Sequence, residues 1–390
     1  MNTKKYKIRT EFIEKKNLKK SGVWEIALDL GYSSVKAMSP NSISTFPSFA
    51  VRTAEEIQFA GKTPKEAIMY LDLDTNETWV VGEYAQNSIS NTDTSVSEAI
   101  IYSRDRFSDP MFKVIARTGI GVSIMENSYG SFDNKHERIV IQTGLPERYL
   151  SDSESLVDVL SGHHNFALKV GDKDWTFFSI DIDNEDVYVI SQPKGSLFSV
   201  CVDNNGKPIP QNIALLSSNV IVFDAGFGTL DLFIINSGEV LRGETFADLG
   251  MKRVLQETSK LINEEFRVNI PVPAMQSYLE TGLVRKAERK ASFEVKEYPF
   301  DTLLAKASNY VCEQAIDRMI ASIGWDNFTQ HYKYMIVTGG TGAAWYHNIE
   351  EKFKNFSGFK VLRANQNDTL PFIYSNVRGY YLYRHNKIVE

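Results

Sequence analysis

The residues best suited to chemistry are two aspartates, Asp29 and Asp224, each ending an apolar run and followed by a turn of small residues. The first stretch reads Ile26-Ala27-Leu28-Asp29-Leu30-Gly31-Tyr32-Ser33-Ser34-Val35. The second reads Ile221-Val222-Phe223-Asp224-Ala225-Gly226-Phe227-Gly228-Thr229-Leu230, 195 positions further along a chain of 390 residues. In both, glycine stands two positions after the aspartate, an aromatic residue comes next, and a hydroxyl residue follows within two positions. A repeat spaced by half the chain predicts two similar halves facing one another. One carboxylate and one Gly/Ser/Thr turn from each half would then clamp a single ligand. Glycine lets successive backbone N–H groups approach an anion closely. Mg²⁺ keeps most of its waters and is held by one or two carboxylates plus phosphate oxygens. Asp29 and Asp224 therefore point to a phosphate-and-metal site in the cleft between the halves.

Around the first aspartate, Gly31, Tyr32, Ser33 and Ser34 offer backbone and hydroxyl donors, and Lys36 offers charge, its direction left open by the strand alternation. Around the second, Gly226, Phe227, Gly228 and Thr229 form a tighter and more specific turn, with Asp231 just beyond it. A third element, Val337-Thr338-Gly339-Gly340-Thr341-Gly342, reads as a strand, a glycine turn and the start of a helix, a setting that favours anions. It departs from Gly-x-Gly-x-x-Gly and no Gly-Lys-Ser/Thr follows, so dinucleotide and Walker-type readings lose ground.

These residues need a scaffold. The length predicts two domains. Hydrophobic content of 43% and charged content of 24% fit an ordinary globular chain. A net charge of −6 argues against direct DNA binding, which needs clustered Lys and Arg. Cys201 and Cys312 lie far apart without metal or disulfide spacing. No apolar run approaches the roughly 20 residues that span a bilayer, and the N-terminus lacks a secretory core, so no membrane association and a cytoplasmic location are expected.

Residues 1–22 carry eight Lys/Arg against two Glu and read as a flexible basic extension. Trp24–Asp29 and Val35–Met38 read as strands joined at Gly31, and residues 47–110 as a small inserted subdomain containing a strand at Trp79–Val81. Further strands are expected at Ile139–Gln142, Val187–Ser191 and Tyr334–Thr338. Helices are expected from near Ser196, over Gly250–Phe266 and over residues 300–324. Asp203–Asn212 is polar and reads as a connection. His163-His164 has no partner at ligand spacing and reads as a surface pair. The mixture is that of an α/β protein.

In this order and spacing the three turns resemble the phosphate-1, phosphate-2 and adenosine motifs of the actin-like ATPase superfamily. Within it the chain is similar to the plasmid-segregation actins of the ParM/StbA type. Trp79-Val80-Val81-Gly82-Glu83-Tyr84-Ala85, Ile141-Gln142-Thr143-Gly144-Leu145-Pro146, Ala247-Asp248-Leu249-Gly250-Met251 and Pro371–Tyr380 support the likeness, which covers residues 24–386. It implies an actin-like fold of two ribonuclease H-like halves around a nucleotide cleft. Residues 23–195 would form domain I, with the C-terminal segment 371–390 packed back on it, and residues 196–370 domain II.

The resemblance further implies ATP, with GTP as the alternative, and Mg²⁺ as ligands. The first two turns would hold the β- and γ-phosphates, and Gly339, Gly340, Thr341 and Gly342 would lie by the nucleoside and α-phosphate. Gln192 takes the position of the residue that orients the attacking water, with Asp29 and Asp224 completing the catalytic set. The implied function is a polymerising ATPase whose filaments segregate plasmid DNA through a DNA-binding adaptor protein. The alternatives are a small-molecule kinase, whose base would have to come from Asp181, Asp183 or Asp186 in a polar segment that reads as a surface turn, and a non-polymerising regulatory ATPase.

Overall fold

A computed structural model describes residues 3–54, 56, 59–87, 104–237, 239–289 and 293–388. Two of its sheets are built alike. In the first half, β2 (Val23–Leu30), β3 (Ser34–Met38) and β4 (Ser42–Pro47) are consecutive antiparallel neighbours. On the other side of β2 lie two parallel strands, β8 (Arg138–Leu145) and β11 (Val187–Ser191). In the second half, β12 (Val220–Ala225), β13 (Leu230–Asn236) and β14 (Glu239–Phe246) repeat the antiparallel series. The parallel strands β17 (Tyr334–Thr338) and β18 (Lys360–Arg363) repeat the parallel side. Asp29 and Asp224 thus end equivalent strands, β2 and β12. Both strands are buried along their whole length because they lie inside their sheets with both faces covered.

A third sheet includes strands from residues 47–110, where an inserted subdomain is expected and of which 88–103 lies outside the described residues. The sheet runs β10-β9-β6-β7-β5, with β5 (Ala50–Thr53), β6 (Ile68–Asp72), β7 (Glu77–Val81), β9 (Gly162–Val170) and β10 (Thr176–Ile182). Two of its five strands therefore come from well beyond the expected insertion. A short helix, α1 (Glu83–Asn87), follows β7. Helix α2 (Pro110–Ile124) fills the space between this sheet and the first. Side chains at Gly119 and Gly121 would press on Leu28 and Val35 on one side and on Phe166 and Leu168 on the other. Two glycines in the helix interior cost helix propensity but admit both sheets. Helix α3 (Ser153–Leu160) closes this half.

Helix α4 (Gln192–Cys201) leads from β11 into the second half. It begins four residues earlier than expected, because Pro193 occupies the first turn, where its missing N–H costs nothing. The polar connection that follows includes the short α5 (Pro210–Ile213). The core of the second half is built by α6 (Met251–Phe266), α7 (Val272–Thr281), α8 (Asp301–Ile323), α9 (Trp325–His331) and α10 (Gly340–Phe353). A two-stranded ribbon, β15 (Leu283–Arg289) and β16 (Phe293–Pro299), projects between α7 and α8. The last helix, α11 (Ser375–Lys387), lies on β2 and β8 and crosses α4. A Cβ on Gly379 would stand 1.7 Å from the Gly195 carbonyl oxygen, so only glycine permits that crossing. No helix among the described residues is long and apolar enough to cross a membrane.

The basic leader is not a loose tail. Residues Thr3–Tyr6 form a 3-10 turn seated on α7, where Thr3 Oγ1 donates to Leu279 O at 2.8 Å and the buried Tyr6 hydroxyl donates to Ser308 Oγ at 3.3 Å. Then β1 (Glu11–Glu14) pairs with β4 at the edge of the first sheet. Between these anchors Lys7 is buried, 2.9 Å from Glu83 of α1 and 3.2 Å from Glu280 of α7. The leader therefore ties the first half to the second. Its polar composition concealed this, because the anchoring comes from ion pairs and a few rings rather than a periodic apolar face.

His163 and His164 separate, since successive strand residues face opposite ways. His163 is exposed beside Asp181, whereas His164 is buried and accepts from Arg117 Nε at 3.2 Å. Burial and the Arg117 charge push His164 down to about 4.

Lys7→Met keeps the buried stem and removes both ion pairs. It is expected to cost roughly 1–3 kcal/mol, less than a fully buried pair because Glu280 is part-exposed. The check is the midpoint of urea unfolding, and an unchanged midpoint would mean that the tie contributes nothing.

Candidate functional site

The two Asp turns converge on a cavity of about 780 Å³ between the halves. Asp29, Gly31, Tyr32, Ser33, Ser34 and Lys36 line it from the first half, and Asp224, Gly226, Phe227, Gly228 and Thr229 from the second. Gln192, Gly339, Gly340 and Thr341 line it too. Gly342 does not. It is buried behind the turn, where an added Cβ would stand 3.2 Å from Val337 Cγ1, so its need for glycine is one of packing.

The first turn is tight because Gly31 has no side chain; a Cβ there would stand 2.9 Å from Ser34 O. Ser48 holds its carbonyls, donating from Oγ to Gly31 O at 2.7 Å and from its backbone N–H to Ser33 O at 3.0 Å. The direction of Lys36 follows from register. It stands directly across from Asp29 on β3, and its Nζ donates to Asp29 Oδ2 at 3.1 Å. Gln192, the first residue of α4, donates from Nε2 to the other carboxylate oxygen at 3.2 Å.

The second turn closes with a Gly226 N–H to Thr229 O bond of 2.8 Å. Its carbonyls also accept the first free N–H groups of α6, Met251 to Gly226 at 3.2 Å and Lys252 to Phe227 at 2.8 Å. Thr341 Oγ1 donates to Gly226 O at 2.6 Å and fastens the third turn to the second. Gly339 has φ +83°, and a Cβ there would lie 2.2 Å from Ala225 O and 2.6 Å from Asp224 Oδ1. That conformation and that closeness both require glycine. The two halves touch where Tyr32 covers Gly228, 3.3 Å from the position of an added Cβ.

Electrostatically the floor of the site is set by buried carboxylates, with Lys36 and Arg106 also lining the cavity. Asp224 pairs in register with Asp231 on β13, both almost fully buried. Burial first, and then the neighbouring Asp231 charge, raise Asp224 to about 7, against the hydrogen bond from Asn376 Nδ2 at 2.8 Å. Burial raises Asp231 to about 6, opposed by donors from Thr245 at 2.5 Å and Thr229 at 2.8 Å. No cluster of three or more metal-ligating side chains exists among the described residues. The donor set still fits Mg²⁺, which needs only one or two carboxylates when phosphate oxygens and waters complete its shell. A cation there would also relieve the repulsion between the buried carboxylates.

Several contributors escaped the sequence reading. Asn376 orients Asp224 from α11. Ser196, bonded to Asn376 and donating to Thr338 Oγ1 at 2.7 Å, connects α4 to both. Asn376 lies in a stretch that was recognised, yet nothing local in sequence reveals a partner 152 residues away.

Two like halves with paired acid-ended hairpins around one cleft define the actin-like fold. Residues 27–195 match the family of actin-like proteins' N-terminal domains. Among solved structures, a 15-stranded ParM filament from Clostridium botulinum is 20% identical, covering 94% of this chain and 99% of that chain at a TM-score of 0.69. A non-polymerisable quadruple mutant of the pCBH ParM is 19% identical over 94% and 99%, at a TM-score of 0.68. An archaeal actin homologue solved as a complex with ADP is 14% identical over 93% and 100%, at 0.61. No curated protein matches the sequence. The chain has the actin-like fold, and its structural neighbours include ParM filament proteins.

The raised Asp224 carboxyl sets a pH dependence. Its folded value of about 7 exceeds the ~3.9 of an unfolded aspartate, so folding favours the protonated form. That contribution is complete below about pH 4 and is lost as pH rises through about 7. Asp224→Asn, which does not ionise, should therefore stabilise the nucleotide-free protein by about 1 kcal/mol or more at pH 8 relative to its effect at pH 4. Urea unfolding with chelator at both pH values measures this. An equal effect at both would mean that Asp224 does not titrate in this range.

Proposed function

We propose that this protein is a Mg²⁺-dependent, nucleotide-driven polymerising ATPase, its filaments moving plasmid DNA through a DNA-binding adaptor. The observation that carries this reading is the single cavity in which both acid-ended turns, the Gly339–Thr341 turn and Gln192 meet. Gly31, Ser33, Ser34, Gly226, Gly228 and Thr229 would hold the β- and γ-phosphates through their N–H and hydroxyl groups. Gly339 to Thr341 would lie against the nucleoside and α-phosphate, at the positive end of α10. Asp29 and Asp224 would hold Mg²⁺ through water, and the ion would offset phosphate charge that two buried carboxylates alone would repel.

Gln192 would place the attacking water. Its Nε2 is committed to Asp29, so the amide oxygen remains to accept a hydrogen bond from that water. An amide is too weak a base to take the proton, in keeping with phosphoryl transfer that relies on positioning and electrostatics. Lys36, already paired with Asp29, would add positive charge beside the phosphates. Self-association is supported by the likeness to filament proteins. A small-molecule kinase needs a base at the acceptor hydroxyl, and neither Asp181, Asp183 nor Asp186 lines the cavity. Asp181 is exposed on β10, and Asp186 pairs with Arg138.

Gln192→Ala should slow phosphate release by about tenfold or more while changing nucleotide affinity by less than about threefold. Parallel losses of rate and affinity would contradict the positioning role. Asp224→Ala should abolish Mg²⁺-dependent turnover with the secondary structure retained by circular dichroism.

Mg-ATP alone, above a critical concentration, should produce pelletable filaments without a second substrate, and phosphate release should rise with polymer. A protein that stays in the supernatant with ATP, GTP and a non-hydrolysable analogue would return the reading to a kinase or regulator.

A further inference from the structure

Arg106 carries a charge that the fold does not balance. It lies in a 3-10 turn, Arg104–Ser108, just before α2, and it lines the cavity. Its Nη2 donates to Leu30 O at 2.8 Å, at the root of the first turn. Its guanidinium carbon stands 4.4 Å from the centre of the Tyr32 ring and 4.9 Å from that of Phe112. Among the described residues no carboxylate comes within ion-pair distance of it.

The two deeply buried arginines elsewhere are treated differently. Arg117 meets Asp72 at 2.9 Å and Arg378 meets Asp368 at 3.1 Å. Asp29 carries the nearest charge to influence Arg106, but both of its oxygens are engaged by Lys36 and Gln192. A guanidinium packed between rings and left without an anion is costly, and its remaining N–H groups form a fork suited to a phosphate. Tyr32, on which it stacks, reaches across to Gly228 of the second turn. Arg106 is therefore at the end of the cavity where both phosphate-binding turns meet.

We propose that Arg106 is a binding residue for the terminal phosphate of a nucleoside triphosphate, distinguishing triphosphate from diphosphate. The proposal rests on the nucleotide reading of the cavity and adds a contact that neither of the paired turns supplies. The anion is either the γ-phosphate still attached to the nucleotide or free inorganic phosphate beside the diphosphate. Both present the same dianionic oxygens, and the experiment separates them.

The test compares wild type, Arg106→Gln and Arg106→Lys by calorimetric titration with Mg-AMP-PNP, Mg-ADP, and Mg-ADP in excess inorganic phosphate. Arg106→Gln should weaken AMP-PNP by about tenfold to a hundredfold, the range of a charge-assisted hydrogen-bond pair, and ADP by less than about threefold. Arg106→Lys keeps the charge without the fork and should fall between. A phosphate-induced gain in ADP affinity that is lost in Arg106→Gln identifies free phosphate as a second ligand of the same residue. Without such a gain, the site reads the attached γ-phosphate only. Equal losses for AMP-PNP and ADP, or none for either, would overturn the proposal, since packing on Tyr32 and Phe112 makes no distinction between them. Should Arg106→Gln fail to fold, the ratio of the two affinities in Arg106→Lys decides alone, and an unchanged ratio overturns the proposal. Wild type that binds neither nucleotide overturns the nucleotide reading itself, a result distinct from an unchanged ratio in a protein that binds both.

Discussion

The structure depends on keeping carboxylates buried at the ends of two central strands. Asp224 and Asp231 face each other across β12 and β13 with almost no exposure, and Asp29 ends the equivalent strand of the other half. Like charges so placed destabilise the ionised forms, and Lys36, the least of the influences on Asp224, offsets this only slightly. The surroundings supply hydrogen bonds instead, from Asn376 to Asp224 and from Thr229 and Thr245 to Asp231. These donors come from α11, from the second turn and from β14, so the acid pair organises elements far apart in sequence. A site of this kind gains from a bound cation or from protonation, which links its stability to ligand and to pH through one set of atoms.

The same acids explain the joint between the halves. Helix α4 begins at Gln192, which holds Asp29, and carries Ser196, which reaches Asn376 and through it Asp224. It crosses α11 at the Gly195–Gly379 contact, with Tyr380 filling the space left by Gly144 and Gly195. A side chain at any of these glycines would force the helices apart. One close crossing therefore sets the distance between the two turns, and the spacing of the site is fixed by backbone packing rather than by the turns themselves.

What the sequence disclosed follows from which signals are local. Val187–Ser191 and Tyr334–Thr338 end where expected because their apolar runs are bounded by breakers. The paired turns were legible because each needs glycine, a carboxylate and hydroxyls within a few positions. Gly342 shows the limit of a local signal, because packing and ligand approach ask for the same residue. Helix α2 went unnoticed because it is buried on nearly every side between two sheets and shows no single apolar face. The third sheet was assigned too short a segment because β6 pairs with β9 across an interval that contains α2 and β8. Asn376, Ser196 and Arg106 gain their roles only through contacts between distant segments, which composition and spacing do not encode.

Two contacts between the halves, the α4–α11 crossing and the ion pairs of the leader, differ in physical character. At the joint, backbone meets backbone in a dry, close-packed crossing, where separation would open voids that packing forces resist. At the second, α1 meets α7 and the leader passes between them through Lys7, Glu83 and Glu280, with Glu280 part-exposed and also shared with Lys4 and Arg9. The pairs that Glu280 makes at the surface contribute little, whereas the Lys7–Glu83 pair is largely removed from water. A phosphate chain gripped by both turns would join the halves at a third place, because each half supplies one of the two turns in contact at Tyr32 and Gly228.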